Sequence, residues 1–295
     1  GLNALFANTT GGNNTAVGYI AATSLTTGTA NTALGQSALE GCTDGVNNTA
    51  IGYETGTADW GDNNVAVGYK ALKINTADNN VAVGYHSLGA NTTGTSNTGL
   101  GYQALRKTTT GSANTAVGYI ALEYCTTGNN NVAVGGRALD VSTTGSDNTA
   151  VGQDALGSNT TGSNNVGIGR DSLGSATTGV NNVAIGYSAL KDNVDTHSCV
   201  AVGNQAAENA TANYTTAIGD RAMAGATVTG ERNTSVGHYS LYSLTSGAQN
   251  TGLGSNALST NTTGNNNTAL GYGALNANTT ASNNTAVGRE SLPIP

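Results

Sequence analysis

The sequence predicts an all-β fold, a parallel β-solenoid built from about seventeen coils of 17 residues. One observation is a repeated segment, Asn-Thr-Ala-Val-Gly-Tyr-x-Ala-Leu, whose clearest copy begins at Asn14. Its glycine recurs along the whole chain at intervals of 16 to 18 residues, mostly 17. The marker glycines are Gly1, Gly18, Gly35, Gly52, Gly68, Gly84, Gly101, Gly118, Gly135, Gly152, Gly169, Gly186, Gly203, Gly219, Gly237, Gly254, Gly271 and Gly288. This period is too short for a helical pair or a four-stranded blade, and it fits one coil stacked on the previous one.

The second observation is that apolar residues keep fixed places in the repeat. We number each coil from its marker glycine, which is position 0. Position −1 is always aliphatic and position +4 is nearly always Leu. Because equivalent residues of stacked coils lie about 4.8 Å apart, like side chains form ladders. The predicted core ladder contains Val17, Val67, Val117, Val134, Val151, Leu105 and Leu139.

The third observation is polar and concerns position −4. This position is Asn in all but two of the complete copies, the exceptions being Cys199 and Thr215. Stacked Asn side chains can hydrogen-bond to one another and to the backbone of a turn. The predicted asparagine ladder includes Asn114, Asn131, Asn148 and Asn165. Glycines at positions 0 and +10 suit corners that need a positive φ or close backbone approach.

Composition and period together set the domain organisation. Only 9% of the 295 residues are charged, the net charge is −7, and there are two prolines. The unbroken period predicts one continuous solenoid domain over residues 1–292, with irregular coils near 53–62 and 191–215. No signal peptide, transmembrane run or basic patch occurs. Because the chain starts and stops within the repeat, we expect a segment of a longer polypeptide, with 293–295 leading into a missing part.

The sequence contains no pattern that indicates catalysis. There is no nucleotide-binding loop and no nucleophile elbow, and carboxylates recur in no column, so we expect no enzyme, no catalytic residues, no metal and no cofactor. A pair of carboxylates from different coils is the one glycosidase arrangement that this pattern leaves open. Asp192, Asp195, His197 and Cys199 form the only cluster of metal-ligand residue types, and their spacing matches no zinc pattern. Cys42 and Cys125 lie five coils apart, about 24 Å, too far for a disulfide.

Tyrosines at position +1 form a candidate surface. On five consecutive coils this position is occupied by Tyr53, Tyr69, Tyr85, Tyr102 and Tyr119. Stacked aromatic side chains stabilise a ladder or a contact between chains. The alternative is a stripe that binds sugars or another surface, so both interpretations remain open.

Position −2 is the column most informative about assembly. It contains only Ala, Gly or Ser, and Ala116, Ala133 and Ala150 represent it. Because side chains alternate across a strand, −2 faces away from the coil's core if −1 faces into it. A solvent-facing column normally varies and carries charge, so its uniformity predicts a chain-to-chain contact in a symmetric bundle. The alternative is a flattened coil whose two sides meet at these small residues.

The repeat resembles those of bacterial and phage tail-fibre proteins. It carries Asn-Thr-Ala-Val-Gly-Tyr-x-Ala-Leu with Thr-Thr-Gly, and Val183-Ala184-Ile185-Gly186 is similar to the head repeats of trimeric autotransporter adhesins. The resemblance covers essentially the whole chain. It implies a parallel β-roll, three chains around one axis, and an extracellular attachment role.

We therefore expect a structural and adhesive fibre segment, extracellular, on a cell surface or a virion. Its expected partners are copies of itself, as a homotrimer or fibre, and cell-surface glycans or another host surface. We expect neither nucleic-acid binding nor membrane insertion. The rival from another class is an ice-binding solenoid, which needs a flat outward array of threonines. Adjacent threonines such as Thr26 and Thr27 point to opposite sides of an extended backbone, which disfavours it.

Overall fold

The computed structural model describes residues 1–291 and confirms a parallel β-solenoid. Leu292 and the predicted tail 293–295 lie outside the described residues. Each coil contributes one strand of three residues. The strands are β1 (Thr15–Val17), β2 (Thr32–Leu34), β3 (Thr49–Ile51), β4 (Val65–Val67), β5 (Val81–Val83), β6 (Thr98–Leu100), β7 (Thr115–Val117), β8 (Val132–Val134), β9 (Thr149–Val151), β10 (Val166–Ile168), β11 (Val183–Ile185), β12 (Val200–Val202), β13 (Thr216–Ile218), β14 (Thr234–Val236), β15 (Thr251–Leu253), β16 (Thr268–Leu270) and β17 (Thr285–Val287). The described part of the chain contains no helix with the length and apolarity that a membrane crossing requires.

The chain divides into two compact units, each built from the same coil. Unit 1 spans Gly1–Asp147 and contains β1 to β8, and unit 2 spans Asn148–Pro295 and contains β9 to β17. Within each unit, consecutive strands pair in parallel and in register. In unit 1, for example, Ala16 lies beside Ala33. Backbone hydrogen bonds also run from coil to coil, as from the N–H of Gly35 to the carbonyl of Val17 at 2.8 Å.

Left-handed backbone conformations let the chain turn within a few residues. In a regular coil the residues at +2, +4 and −5 have positive φ, as do Ile20 (51°), Ala22 (48°) and Ala30 (57°). The marker glycine also has positive φ, and a Cβ on Gly35 would lie 2.6 Å from the next marker's carbonyl oxygen. The glycine at +10 is required by close approach alone, since a Cβ on Gly28 would lie 2.4 Å from the Gly45 oxygen. Leucine at +4 costs roughly 1–2 kcal/mol in this conformation, and its burial offsets that cost.

The core of each coil is made by Leu at +4 together with small residues at +3 and −2. Leu105 and Leu139 are fully buried, as predicted. The predicted positions of −1 and −2 are wrong, because the strand presents −2 to the interior and −1 to the exterior. Ala116, Ala133 and Ala150 are fully buried inside their own chain, so they form no chain-to-chain column. The predicted core residues Val17 and Val151 are 54% and 36% exposed, and Val67, Val117 and Val134 are half-buried.

Only small side chains fit at −2, because neighbouring residues at +3 and +4 fill the space in front of this position. A Cβ on Gly99 would lie 2.5 Å from Ser87 Oγ and 3.4 Å from Leu88 Cγ. Each of the three glycines at −2 contacts a serine at +3, where most coils have an Ala at both places. Gly99 and Gly252 contact the serine 12 residues earlier, and Gly167 contacts the serine five residues later. The other two pairs are Gly167 with Ser172 and Gly252 with Ser240, at 3.1 and 2.6 Å.

The asparagine ladder fastens each coil to the next. Asn114 Nδ2 donates to the carbonyl of Gly128 at 2.8 Å, and Asn114 Oδ1 accepts from the Asn131 N–H at 3.0 Å. In unit 2, Asn148 and Asn165 make the equivalent bonds, with Asn148 Oδ1 accepting from the Asn165 N–H at 3.0 Å. Each buried amide therefore bonds to the N–H of the next asparagine, just before the strand, and to a carbonyl at a corner of the coil.

The irregular coil near 53–62 replaces its missing leucine with Trp60. Position +4 of this coil is Gly56, and a Cβ there would lie 2.7 Å from the indole ring. Trp60 is 1% exposed, and its Nε1 donates to the carbonyl of Leu72 at 3.1 Å. The only tryptophan of the sequence therefore completes the core where the repeat fails.

Candidate interaction surfaces

An uncharged surface of aliphatic and threonine side chains covers the outer side of every strand. We call it the aliphatic face and define it as the outward residues of the strands, at −3 and −1. Position −3 is always Thr or Val, and position −1 is always Val, Leu or Ile. Exposed fractions at −1 include 46% for Leu34, 39% for Val83 and 41% for Leu270. The sequence analysis placed −1 in the core of the coil and a contact between chains at −2, whereas the structure places −1 outside and −2 inside.

The tyrosine stripe (Tyr53, Tyr69, Tyr85, Tyr102 and Tyr119) is a continuous stack. Neighbouring ring centroids lie 5.1 to 5.5 Å apart, and the ring planes differ by 7 to 12°. All five side chains are at least 39% exposed. Because each inner ring covers the faces of its neighbours, the stripe offers solvent its ring edges and hydroxyls. A sugar packs its C–H groups on an open ring face, so this geometry favours the structural interpretation for the three inner tyrosines.

A charged network lies beside the stripe. The Glu54 carboxylate contacts Lys73 Nζ at 2.6 Å and Lys70 Nζ at 3.7 Å. The hydrogen bonds from Lys73 and Tyr53 lower the pKa of Glu54 to about 2. His86 packs edge-on against Tyr85 at 4.8 Å, and its burial and the nearby cations lower its pKa, which keeps this imidazole neutral at pH 7.

The threonine columns do not form a free hydroxyl array. At position +8 the hydroxyls donate along the stack, as Thr126 Oγ1 does to the carbonyl of Thr143 at 3.1 Å. Thr109 makes the same bond to Thr126 at 3.0 Å. Position +9 is the exposed member of the pair, as at Thr110. The exposed threonines at +9 and the outward threonines at −3 are both interrupted by other residues, as at Asp44 and Val65, so neither column is the unbroken array that ice binding requires.

The second irregular region brings together no metal site. Among residues 1–291, no group of three or more His, Cys, Asp or Glu side chains is placed to hold a metal ion. Asp195 instead accepts hydrogen bonds from the Thr177 and Thr178 hydroxyls at 2.6 and 2.8 Å, which lower its pKa. Cys199 keeps the backbone part of the asparagine ladder, since its N–H donates to Asn182 Oδ1 at 2.9 Å.

The three cysteines are free and buried. Cys42 and Cys125 occupy position +7, which the structure turns inward. Burial raises the pKa of both thiols to about 11, so the reactive thiolate is scarce at neutral pH.

Comparison with known proteins does not identify a function for these surfaces. Neither a protein-family model nor a curated protein matches this chain.

Proposed function

We propose that this chain is a structural and adhesive segment of an extracellular fibre, on a cell surface or a virion, and that its copies assemble as a homotrimer through the aliphatic face. The observation that carries the proposal is the composition of that face. Every coil places an aliphatic side chain at −1 and an uncharged one at −3, both directed away from the core. Outward positions without such a constraint accumulate charge, as position +2 does with the half-buried Glu54 and Lys70 and the exposed Arg137.

The area of the face suits a specific interface. A three-residue strand is roughly 10 Å long and the coils repeat every 4.8 Å or so, which gives roughly 400 Å² in each unit. The faces of the two units sum to roughly 800 Å², which is about what one partner buries in a stable complex. The face of one unit is as large as the largest exposed apolar patch of a typical soluble monomer, and such patches are often functional.

The occupant that fits is a second copy of the same chain. Neither column of the face contains a charged residue in any coil, so the partner must also be apolar there. A copy presents the same ladder at the same axial spacing, so its side chains can interdigitate coil by coil. A partner without this repeat would match the face over only one or two coils.

The resemblance to fibre repeats supports the role. Ladders of hydrogen bonds between coils, a very low content of charge and a core shared by successive coils suit an element that spans distance. No pair of carboxylates is set up for glycosidase chemistry on the surfaces described above, so we propose a structural and not a catalytic role.

The test is the mass of the chain in solution. We expect the wild-type chain to sediment near three times 29.1 kDa. Replacing Val83, Leu100 and Val117 with Glu on three consecutive coils should give a folded monomer, because three carboxylates would otherwise be buried without partners. The matched control places Glu at the exposed +9 residues Thr93, Thr110 and Thr127 of the same region and should keep the wild-type mass. A wild-type chain that stays monomeric at high concentration overturns the proposal.

A further inference from the structure

The tyrosine stripe of unit 1 (Tyr53, Tyr69, Tyr85, Tyr102 and Tyr119) is an unbroken row of phenol rings. Neighbouring residues are 16 or 17 positions apart in the sequence and lie on consecutive coils. Their ring centroids are 5.1 to 5.5 Å apart, and the ring planes differ by only 7 to 12°. Because each ring is almost parallel to the next, equivalent carbons of neighbouring rings are about as close as the centroids. The ortho carbons, which lie beside the hydroxyl groups, therefore form a row of their own along the stripe.

The rings of the stripe are partly exposed, whereas the backbone beneath them is fixed. The five side chains are 39 to 58% exposed. The carbonyl of Tyr85 accepts a hydrogen bond from the N–H of Gln103 on the next coil at 2.9 Å, and the carbonyl of Tyr102 accepts one from Ile120 at the same distance. Two neighbouring rings can therefore tilt together by rotation about their side-chain bonds. This rotation brings two ortho carbons to the roughly 1.5 Å of a C–C bond while the coils stay in place.

Other side chains that oxidise readily are shielded from solvent. The one tryptophan, Trp60, is 1% exposed, and the one methionine, Met223, is fully buried, as are Cys42, Cys125 and Cys199. An oxidant in solution therefore meets tyrosines before it meets these groups. Five of the twelve tyrosines lie in the stripe, where each ring is in contact with at least one other phenol.

We propose that the tyrosine stripe is a site of oxidative cross-linking, at which neighbouring tyrosines of one chain join as dityrosine when a haem peroxidase and hydrogen peroxide oxidise them. Each of the two tyrosines gives one electron and its phenolic proton to the oxidant. The two phenoxyl radicals join through their ortho carbons, and the proton on each of these carbons then moves to the oxygen, which restores both phenols. Hydrogen peroxide takes up the two electrons and the two protons and becomes two molecules of water.

Contact between the rings favours coupling within the stripe. A phenoxyl radical can take an electron and a proton from the phenol beside it, so the radical moves from ring to ring. Two radicals formed at different places thereby come to lie on adjacent rings, where coupling has the advantage of an intramolecular reaction. Tyr187 occupies the same position of its own coil, but its neighbours there are Arg170 and Asn204, so it has no phenol to couple with in that column.

Each link fastens one coil covalently to the next. It closes a loop of 16 or 17 residues, and it restricts the unfolded chain as a disulfide does. The three cysteines are free and buried, so they provide no such link. Both partners of a dityrosine belong to one chain, so cross-linking does not depend on assembly through the aliphatic face.

The test is treatment of the dilute whole chain with a haem peroxidase and hydrogen peroxide. We expect the fluorescence of dityrosine in a chain that still migrates near 29.1 kDa on a denaturing gel. Mass spectrometry of proteolytic fragments should locate the links between neighbouring residues of the stripe, each with the loss of two hydrogen atoms.

A double variant, Tyr69→Phe with Tyr102→Phe, keeps five stacked rings but removes every pair of neighbouring phenols. Tyr53, Tyr85 and Tyr119 are then each separated from the next phenol by a phenylalanine. We expect roughly tenfold less dityrosine in fragments of the stripe, because coupling loses its intramolecular advantage. Tyr102→Phe alone should remove the links of Tyr119 and keep those among the first three tyrosines. Circular dichroism shows that the variants remain folded.

The matched control is Tyr187→Phe with Tyr272→Phe, which removes two exposed tyrosines that have no tyrosine at +1 on the adjacent coils. This variant should give the wild-type yield of links in the stripe. No dityrosine in the wild-type chain, under conditions that couple free N-acetyltyrosine, overturns the proposal. Links found only between chains, as dimers on the denaturing gel, also overturn it. Links confined to Tyr239 and Tyr242, whose rings meet edge-on at 4.7 Å in unit 2, exclude the stripe as the site.

Discussion

The size of a buried side chain in this repeat is limited by the residue that it contacts across the thin core. The pairing of glycine at −2 with serine at +3 demonstrates this. Ser87 Oγ donates to the Gly99 carbonyl at 2.8 Å, and there is no space for a methyl group between them. Where both residues are Ala, as at Ala104 and Ala116, the two methyl groups fill the same volume.

This pairing makes a prediction for a double-mutant cycle. Gly99→Ala alone should destabilise the chain by about 1–3 kcal/mol, because its Cβ would lie 2.5 Å from Ser87 Oγ. Adding Ser87→Ala recreates the common Ala–Ala pair and should recover most of the loss. Chemical denaturation of the two single variants and the double variant measures the coupling free energy. Additive effects would mean that the two positions do not compete for space.

The residue scale is also where sequence reasoning failed. Uniformity at −1 and at −2 was visible, and alternation required the two columns to face opposite sides. The sequence alone cannot say which side is the interior, because both columns are apolar and uniform. The backbone conformation decides which column is inside. The left-handed residues at +2 and +4 turn Leu towards −2 and leave room there for a methyl group only.

At the scale of the coil, the asparagine ladder replaces the backbone bonds that a longer strand would provide. Each strand has only three residues, so its ends depend on side chains. The sequence predicted this ladder well, because an Asn that recurs at one position of nearly every coil indicates a hydrogen bond repeated along the stack. The inward position +7 was missed, since Leu25, Cys125, Asn159 and Ala176 share no chemical type.

The ladder prediction is tested with Asn114→Ala. The change leaves the Asn131 N–H and the Gly128 carbonyl without their partners in a buried site. We expect a loss of about 2–3 kcal/mol in the free energy of unfolding. Thr127→Ala is the matched control, because Thr127 is exposed and its φ is not positive, so it should cost under about 0.5 kcal/mol. Similar losses for both variants would contradict a special role for position −4.

For the whole molecule, the period predicted the fold class because stacking of equivalent residues leaves few alternatives. A cavity of about 210 Å³ in unit 2, lined by Gln205, Glu208, Arg221, Ala224 and Tyr242, could not be predicted in the same way. Its residues come from three coils, and their approach depends on the small side chains at Ala224 and Gly225. The one signal in the sequence was the uneven spacing of the marker glycines around Gly219. This spacing indicates an irregular coil but does not predict a cavity.

A deletion tests the independence of the coils. Removing residues 255–271, one full coil without charged residues, joins Gly254 to Tyr272 and restores every column. We expect one cooperative unfolding transition with a Tm within a few degrees of wild type, because solenoid stability is close to a sum over coils and their interfaces. Removing only residues 255–262 shifts all later columns and should unfold the coils that follow. Circular dichroism on heating distinguishes the two, and equal damage from both deletions would contradict the model of independent coils.

The in-register stack also bears on how such a chain changes over generations. Most partners of a residue lie within its own coil or one coil away, and the coils share much of their sequence. Recombination between misaligned repeats of a gene adds or removes whole coils, and each product keeps all its ladders. The number of coils can therefore change between generations in steps of about 17 residues while the core of each coil stays the same.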